Sequence, residues 1–359
     1  MVVNKKIAIL CNYELLPERV GGMDHFFWKF DAKCKQNNVK VDWFFPNHSE
    51  HGEYFKLKII ESKEQNVENF FLSFCKENKT NYTHVITHFV ELCTPFFYKI
   101  KRISNAKIIA VDHNPRPLSG YSLKKIVEKR VKGIFFSRYI DLFIGVSNYT
   151  VQEIIKDFGG YLKHKTITIY NGVMIDNIQV RTTRNTVNPT FIVASHLRES
   201  KGIQDLIEAV SQLPDAIKSE IKIAIFGEGP FKDALILQIK NREVKRNFQF
   251  MGSSANLNEL FYHYDYMIQP THMECFSLSI LESLAANVPV ITTNVGGNKE
   301  VITDGDTGYI TEAKNSFMLQ DIIKKVYLGE KKISKNTRLL VEDAFSLNQM
   351  VENHFKIIQ

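Results

Sequence analysis

At 359 residues, 44% of them hydrophobic and 24% charged, the chain is long enough for two cores and has the composition of a soluble globular protein. Its formal charge of +7 is uneven: residues 1–175 carry 26 Lys and Arg against 17 Asp and Glu, the remainder 20 against 22, so an anionic partner is expected on the N-terminal half. No apolar run reaches the roughly 18 residues that span a bilayer, the N-terminus lacks signal-peptide features, and five cysteines without metal-type spacing read as reduced, mostly buried thiols. A cytoplasmic protein is the expectation.

A first strand is expected at Lys6–Leu10, followed by a loop through Pro17 and Gly21-Gly22 and a helix near Met23–Asn37. β-type runs follow at Val39–Phe45, His84–Thr87, Lys107–Asp112, Leu142–Val146 and Thr166–Tyr170, with helical periodicity between them at Val67–Cys75 and Thr150–Phe158. A second alternating set runs through Thr190–Ala194, Ile221–Phe226, Phe248–Phe250, Tyr266–Gln269 and Pro289–Thr293. Alternation of this kind predicts α/β domains with doubly wound parallel sheets. Asp176–Pro189, polar and without pattern, reads as a linker just after the first domain, and Asp343–Gln359 as a terminal helix.

Two carboxylates flank a loop that runs into an apolar, helix-forming stretch, Glu274-Cys-Phe-Ser-Leu-Ser-Ile-Leu-Glu282. A helix N-terminus offers free N–H groups to an anion such as a diphosphate, and carboxylates on either side accept from sugar hydroxyls. The same residues also fit an ordinary capping box at Ser279–Glu282 with Glu274 as a surface residue.

The surroundings favour the first reading. Pro270-Thr-His-Met precedes Glu274, and Ala286-Asn-Val-Pro-Val-Ile leads to Gly296-Gly297 and Glu300. This block resembles the retaining GT-B glycosyltransferases of family 4 (glycosyl transferases group 1), with their E-x7-E signature, "A-x-G-x-P-V-I" and Gly-rich turn. Further matches occur in the family's order at Gly21-Gly22, His113, Ser147, Asn171-Gly172-Val173, Lys201-Gly202 and Gly227-Glu-Gly229-Pro230. The resemblance covers nearly the full length. It implies two Rossmann-like domains facing a central cleft: 1–172 for the acceptor and 173–342 for the nucleotide sugar, with helix 343–359 packing back on the first and Phe345-Ser346 opening that element.

The resemblance also assigns roles. Lys201 and Arg198 would hold the donor diphosphate as paired cations, although His196 stands where the family's usual Arg would be. Glu282 would accept from the ribose and Glu274 from the donor sugar, with the N–H groups of Phe276, Ser277 and Leu278 facing sugar and phosphate. The family commonly has Gly at Cys275 and Ser277, so sugar approach is expected to differ here. Gly227 and Gly229, at a strand's C-terminal end, would admit a base or phosphate. Gly21 and Gly22 would face the distal phosphate or the acceptor, unless they are a plain turn. His113 would touch the transferred sugar or reaction centre, and Arg116 is a weaker acceptor or phosphate contact. The family's chemistry needs no protein nucleophile and no metal; no Asp-x-Asp motif occurs. The co-substrate would be a UDP- or GDP-sugar, and the acceptor a glycan or polyprenyl-linked glycan of a surface polysaccharide.

Ser122–Arg138 is basic with apolar residues at helical spacing. Either Lys124, Lys125, Lys129, Arg130 and Lys132 meet the anionic inner face of the cell membrane, with Ile134, Phe135 and Phe136 near its apolar boundary, or the segment is a core helix with a solvated cationic face. No nucleic-acid recognition module accompanies these charges. Rival readings of the whole chain are a GT-B sugar-nucleotide epimerase and a two-domain sugar-binding protein. A nicotinamide oxidoreductase is disfavoured because G-x-G-x-x-G is absent.

Overall fold

Residues 5–17, 20–254 and 257–359 are described in a computed structural model of the chain. The first four residues, part of the stretch read for a leader, lie outside them. The chain divides into two compact units, Met1–Asn171 with Leu347–Gln359, and Gly172–Ser346.

In the first unit β1 (Lys6–Cys11), α1 (Gly22–Gln36), β2 (Lys40–Phe45), β3 (Ile59–Glu61), α2 (Val67–Asn78), β4 (His84–His88), α3 (Pro95–Ile103), β5 (Lys107–Asp112), α4 (Leu123–Phe136), β6 (Leu142–Gly145), α5 (Asn148–Phe158) and β7 (Thr166–Thr168) follow in order. The second unit runs β8 (Phe191–Ala194), α6 (Ile203–Ser211), α7 (Asp215–Lys218), β9 (Ile223–Phe226), α8 (Lys232–Asn241), β10 (Phe248–Gly252), β11 (Tyr266–Gln269), α9 (Leu278–Ala285), β12 (Val290–Thr293), α10 (Asn298–Val301), β13 (Gly308–Thr311), α11 (Ser316–Tyr327) and α12 (Arg338–Ala344). Helix α13 (Leu347–Lys356) belongs to the first unit.

Among the described residues the two sheets have seven and six strands, in the orders β3-β2-β1-β4-β5-β6-β7 and β10-β9-β8-β11-β12-β13. All pairings are parallel. Strands such as Ile108–Val111 and Met267–Ile268 are apolar in succession because helices cover both faces of a parallel sheet. The strand order reverses between β1 and β4 and again between β8 and β11. At such switch points neighbouring loops diverge and leave a crevice outside the strands' carboxyl ends.

Short polar residues start the helices. Asn66 caps α2 by accepting from Glu68 N at 2.9 Å, and Ser147 caps α5 by accepting from Thr150 N at 3.1 Å. Ser147 thus has a structural task of its own. Helix α13 is held on α1 by Lys29 Nζ donating to Asn348 at 3.0 Å, by a Lys33–Glu352 pair, and by the His354 ring 4.8 Å from that of Phe26.

Two edge strands, β3 and β13, were not expected; they are only three and four residues long. The segment Asp176–Pro189 is not a free linker but is fastened to the second unit. Arg181 donates to buried Asp265 at 2.6 Å and Arg184 to the carbonyls of Ile333 and Lys335 at 2.6 and 2.7 Å. The five cysteines are buried, and none forms a disulfide among the described residues.

Candidate active site

In the second unit the loops that leave β8 and β11 lie on either side of the switch point, and they are closed onto one another. His272 N donates to Ser200 O at 2.8 Å, Thr271 Oγ1 to the same carbonyl at 3.2 Å, and His272 Nε2 lies 2.6 Å from Asp205 Oδ2. Gly202 has φ +70°, and a Cβ there would stand 1.8 Å from Pro270 O, so the approach of the two loops requires glycine. Lys201 and Glu274 meet across this seam, Nζ to Oε2 at 2.8 Å, both side chains mostly buried. A lysine ammonium has three donors, so the pair orients Lys201 and leaves capacity for an anion. Arg198, earlier in the same loop, is exposed, and no protein group holds its guanidinium among the described residues. His196 is exposed, and its carbonyl accepts from Arg198 N at 2.9 Å.

Helix α9 begins where Ser277 caps it. Its hydroxyl accepts from Ile280 N at 3.4 Å and from Gln269 Nε2 at 3.0 Å. The cap is therefore Ser277 rather than Ser279, and Glu282 is not the far member of a capping box. Leu278 and Ser279 supply the first-turn N–H groups that lie ahead of the helical ladder. The Ser277 hydroxyl faces its own helix and strand, so it serves the cap. Cys275 N–H is engaged by Glu274 Oε1 at 3.2 Å and its carbonyl accepts from Gly297 N at 2.9 Å. Phe276 is buried, its ring 5.4 Å from that of Phe345.

Glu282 lies on the second turn of α9, half-buried, with no hydrogen bond or ion pair to its carboxylate among the described residues. Burial raises its pKa from the usual 4.5 to about 7, because the charged form loses water without gaining a partner. An unpaired carboxylate held in this way is costly unless a ligand uses it.

Gly227 and Gly229 make room for neighbouring backbone. A Cβ on Gly227, which has φ +135°, would stand 1.9 Å from Ser195 O, and one on Gly229 would stand 2.4 Å from Leu197 O. These glycines admit the chain's own Ser195–Leu197 loop, which is stitched down by Leu197 N to Glu228 O at 3.0 Å and Phe231 N to Leu197 O at 3.0 Å. They shape the site by placing the loop that carries His196 and Arg198. Gly227→Ala is expected to destabilise the protein by about 2–4 kcal/mol, from backbone strain plus overlap. The urea midpoint measures this; an unshifted midpoint would refute the packing role.

The first unit holds Gly21, Gly22 and His113. Gly21 N–H donates to Asp24 Oδ2 at 2.9 Å, and the fully buried Asp24 also accepts from Tyr13 OH at 3.1 Å and Tyr54 OH at 2.6 Å. The start of α1 already has its anion, which corrects the expectation that the Gly21 amide awaits a phosphate. Gly22 is the first residue of α1. Arg116 is buried between Asp112 at 2.8 Å and Asp157 at 2.9 Å and lines the cavity beside His113.

His113 follows β5, its ring stacked on Phe89 at 4.3 Å and its Nε2 3.0 Å from Nδ1 of His88. Burial, with the nearby His354, lowers its pKa from 6.5 to about 3, so it is a neutral hydrogen-bonding group at physiological pH. His88, at the end of β4, was missed. It obeys the rule that singled out His113, a histidine at a strand's carboxyl end, but the expected strand stopped at Thr87. Beside these residues a cavity of about 430 Å³ opens at the ends of β1, β4 and β5, lined by Asn12, Phe89, Glu91, Asn114, Tyr121 and Lys125 among others.

The family model "Glycosyl transferases group 1" matches residues 174–339. N-acetyl-alpha-D-glucosaminyl L-malate synthase of Bacillus anthracis is 24% identical over 235 residues, 58% of this chain and 61% of that protein, so the match spans less than two thirds of that relative. The capsular polysaccharide biosynthesis glycosyltransferase CapM of Staphylococcus aureus is 24% identical over 271 residues, 66% of this chain and 69% of its own. Among solved structures, Anabaena HepE in complex with UDP and glucose superposes with a TM-score of 0.78 at 16% identity, covering 99% of both chains. Residues 174–339 are therefore a glycosyl transferases group 1 domain, in a chain with the fold of the GT-B glycosyltransferases.

Proposed function

We propose that the protein is a retaining glycosyltransferase that moves a sugar from a nucleoside diphosphate to a glycan acceptor, with UDP as the donor nucleotide. The observation that carries this reading is the Lys201–Glu274 pair at the β8/β11 switch point, just ahead of α9. Lys201, Arg198 and the first-turn N–H groups of Leu278 and Ser279 would neutralise the diphosphate, while the unpartnered Glu282 would accept from the ribose. Glu274 would orient Lys201 and accept from a donor-sugar hydroxyl. UDP is carried over from HepE, whose structure holds it.

The chemistry would rest on electrostatics and positioning. The departing diphosphate, stabilised by these donors, would take the proton of the incoming hydroxyl on the same face of the sugar. His113, neutral and fixed by His88, would offer a hydrogen bond to the transferred sugar. The polar cavity beside it, with Asn12, Asn114 and Tyr121, suits the hydroxyls of an acceptor glycan. A polysaccharide intermediate on a polyprenyl carrier fits both the polysaccharide role of CapM and the cationic first unit. The new linkage should keep the donor's anomeric configuration, read from its H1–H2 coupling by NMR; an inverted linkage would overturn the mechanism.

A further inference from the structure

Helix α4 is turned the opposite way from a core helix. Gly133 is its one buried residue among those described. A Cβ there would stand 2.2 Å from Phe158 O, so α4 lies backbone-close on α5. The inward side is otherwise polar: Lys129 pairs with buried Asp157 at 2.9 Å, Lys132 with Glu91 at 2.7 Å, and Lys125 with Glu128 at 3.1 Å. The outward side is apolar. Leu123 is 82% exposed, Ile134 62%, Val127 61%, Phe135 53% and Val131 45%. At 100° per residue these five share one face.

This arrangement corrects the expectation that Lys125, Lys129 and Lys132 reach outward to headgroups. They are spent on the inner face, and Lys125 and Lys129 line the cavity beside His113. The exposed cations that flank the apolar stripe are Lys124, Arg130 and Arg138, and none meets a carboxylate among the described residues. Helix α3 and the turn Ser137–Tyr139 pack alongside and add the Tyr98 and Tyr139 rings, 5.1 Å apart, with Arg102 and Arg138 over them at 5.8 and 5.5 Å.

We propose that the outward face of α4 seats on an anionic lipid bilayer. Leu123, Val127, Val131, Ile134 and Phe135 enter the headgroup–acyl boundary, while Lys124, Arg130 and Arg138 meet lipid phosphates. Charge decides between occupants. The nearest carboxylate to the stripe, Glu128, is held by Lys125 and Lys132 at 3.1 and 2.8 Å, whereas Lys124, Arg130 and Arg138 carry no carboxylate partner among the described residues. The face is therefore net cationic and complements an anionic lipid surface. A second copy seated by two-fold symmetry would set the same cations against each other. Tyrosines with stacked arginines beside the stripe suit the wet, polar level of an interface. The surface does not depend on which nucleotide binds the second unit. It does place the acceptor cavity one helix thickness from the lipid, so a lipid-borne glycan would reach it by passing around α4.

Flotation of the full chain on vesicles tests this, using phosphatidylcholine alone or with about one third phosphatidylglycerol. The wild type should float with the anionic vesicles. Val127→Asp with Ile134→Asp should cut the floated fraction at least about tenfold. Lys124→Gln with Arg130→Gln should remove the dependence on phosphatidylglycerol, and inward-facing Lys125→Gln should float like the wild type. Stabilisation by UDP, measured on each variant, separates loss of this surface from loss of the nucleotide site. A wild type that ignores anionic vesicles overturns the proposal. So does flotation undiminished in the Asp variant, or a wild-type dimer that the Asp variant dissociates.

Discussion

Lys201→Ala is expected to lower kcat by about 10²–10³-fold, the cost of removing one preorganised donor from a developing negative charge. The same substitution leaves Glu274, mostly buried, without its 2.8 Å partner, so stability should also fall, by about 1–3 kcal/mol. The two losses have different causes and come apart in a second variant. Lys201→Ala combined with Glu274→Gln removes the orphaned charge and should recover most of the stability while turnover stays low. Urea unfolding beside steady-state kinetics measures both. If the double variant recovers turnover with stability, Lys201 serves the fold and not the leaving group.

Glu282→Gln should act in opposite directions on stability and binding. The folded-state pKa of Glu282 is raised above its usual 4.5, to about 7. The folded protein therefore holds this proton more tightly than the unfolded chain, and stability is lost as pH rises from about 4.5 through about 7. By pH 8 the desolvated carboxylate costs about 3 kcal/mol. Glutamine removes that cost, so Tm should rise by several degrees at pH 8 and change little at pH 5. Loss of the ionised acceptor should weaken UDP about 10–100-fold. Wild-type affinity for UDP should fall as pH drops below about 7, a dependence the variant should lack. A variant that is no more stable at pH 8 and binds UDP normally would remove Glu282 from the site.

The sequence was most legible where burial on two faces forces apolar runs. Lys107–Asp112 and Tyr266–Gln269 are expected and observed with the same limits, because covered parallel strands leave no room for polar alternation. Strands Ile59–Glu61 and Gly308–Thr311 escaped notice because three or four residues at a sheet edge carry too little pattern. Motif spacing placed Lys201 and Glu274 on two loops, but their 2.8 Å contact depends on Gly202 lying against Pro270 O, a long-range approach. Glycines were the least readable. Gly227 and Gly229 make room for neighbouring backbone, and Gly21 gives its amide to Asp24. Periodicity marked α4 as amphipathic, but periodicity does not say which face looks inward. Asp157 and Glu91, remote in sequence, draw the lysines in and leave the apolar side out.

The central claim is that the second unit holds a nucleoside diphosphate between Lys201, Arg198 and Glu282. Calorimetric titration of the full chain with UDP, GDP, ADP and NADH tests it most directly. Saturable one-to-one binding of UDP is expected, at least about tenfold tighter than GDP or ADP and weakened by Lys201→Ala and Glu282→Gln. Binding of NADH alone, or UDP binding that neither substitution alters, would contradict it.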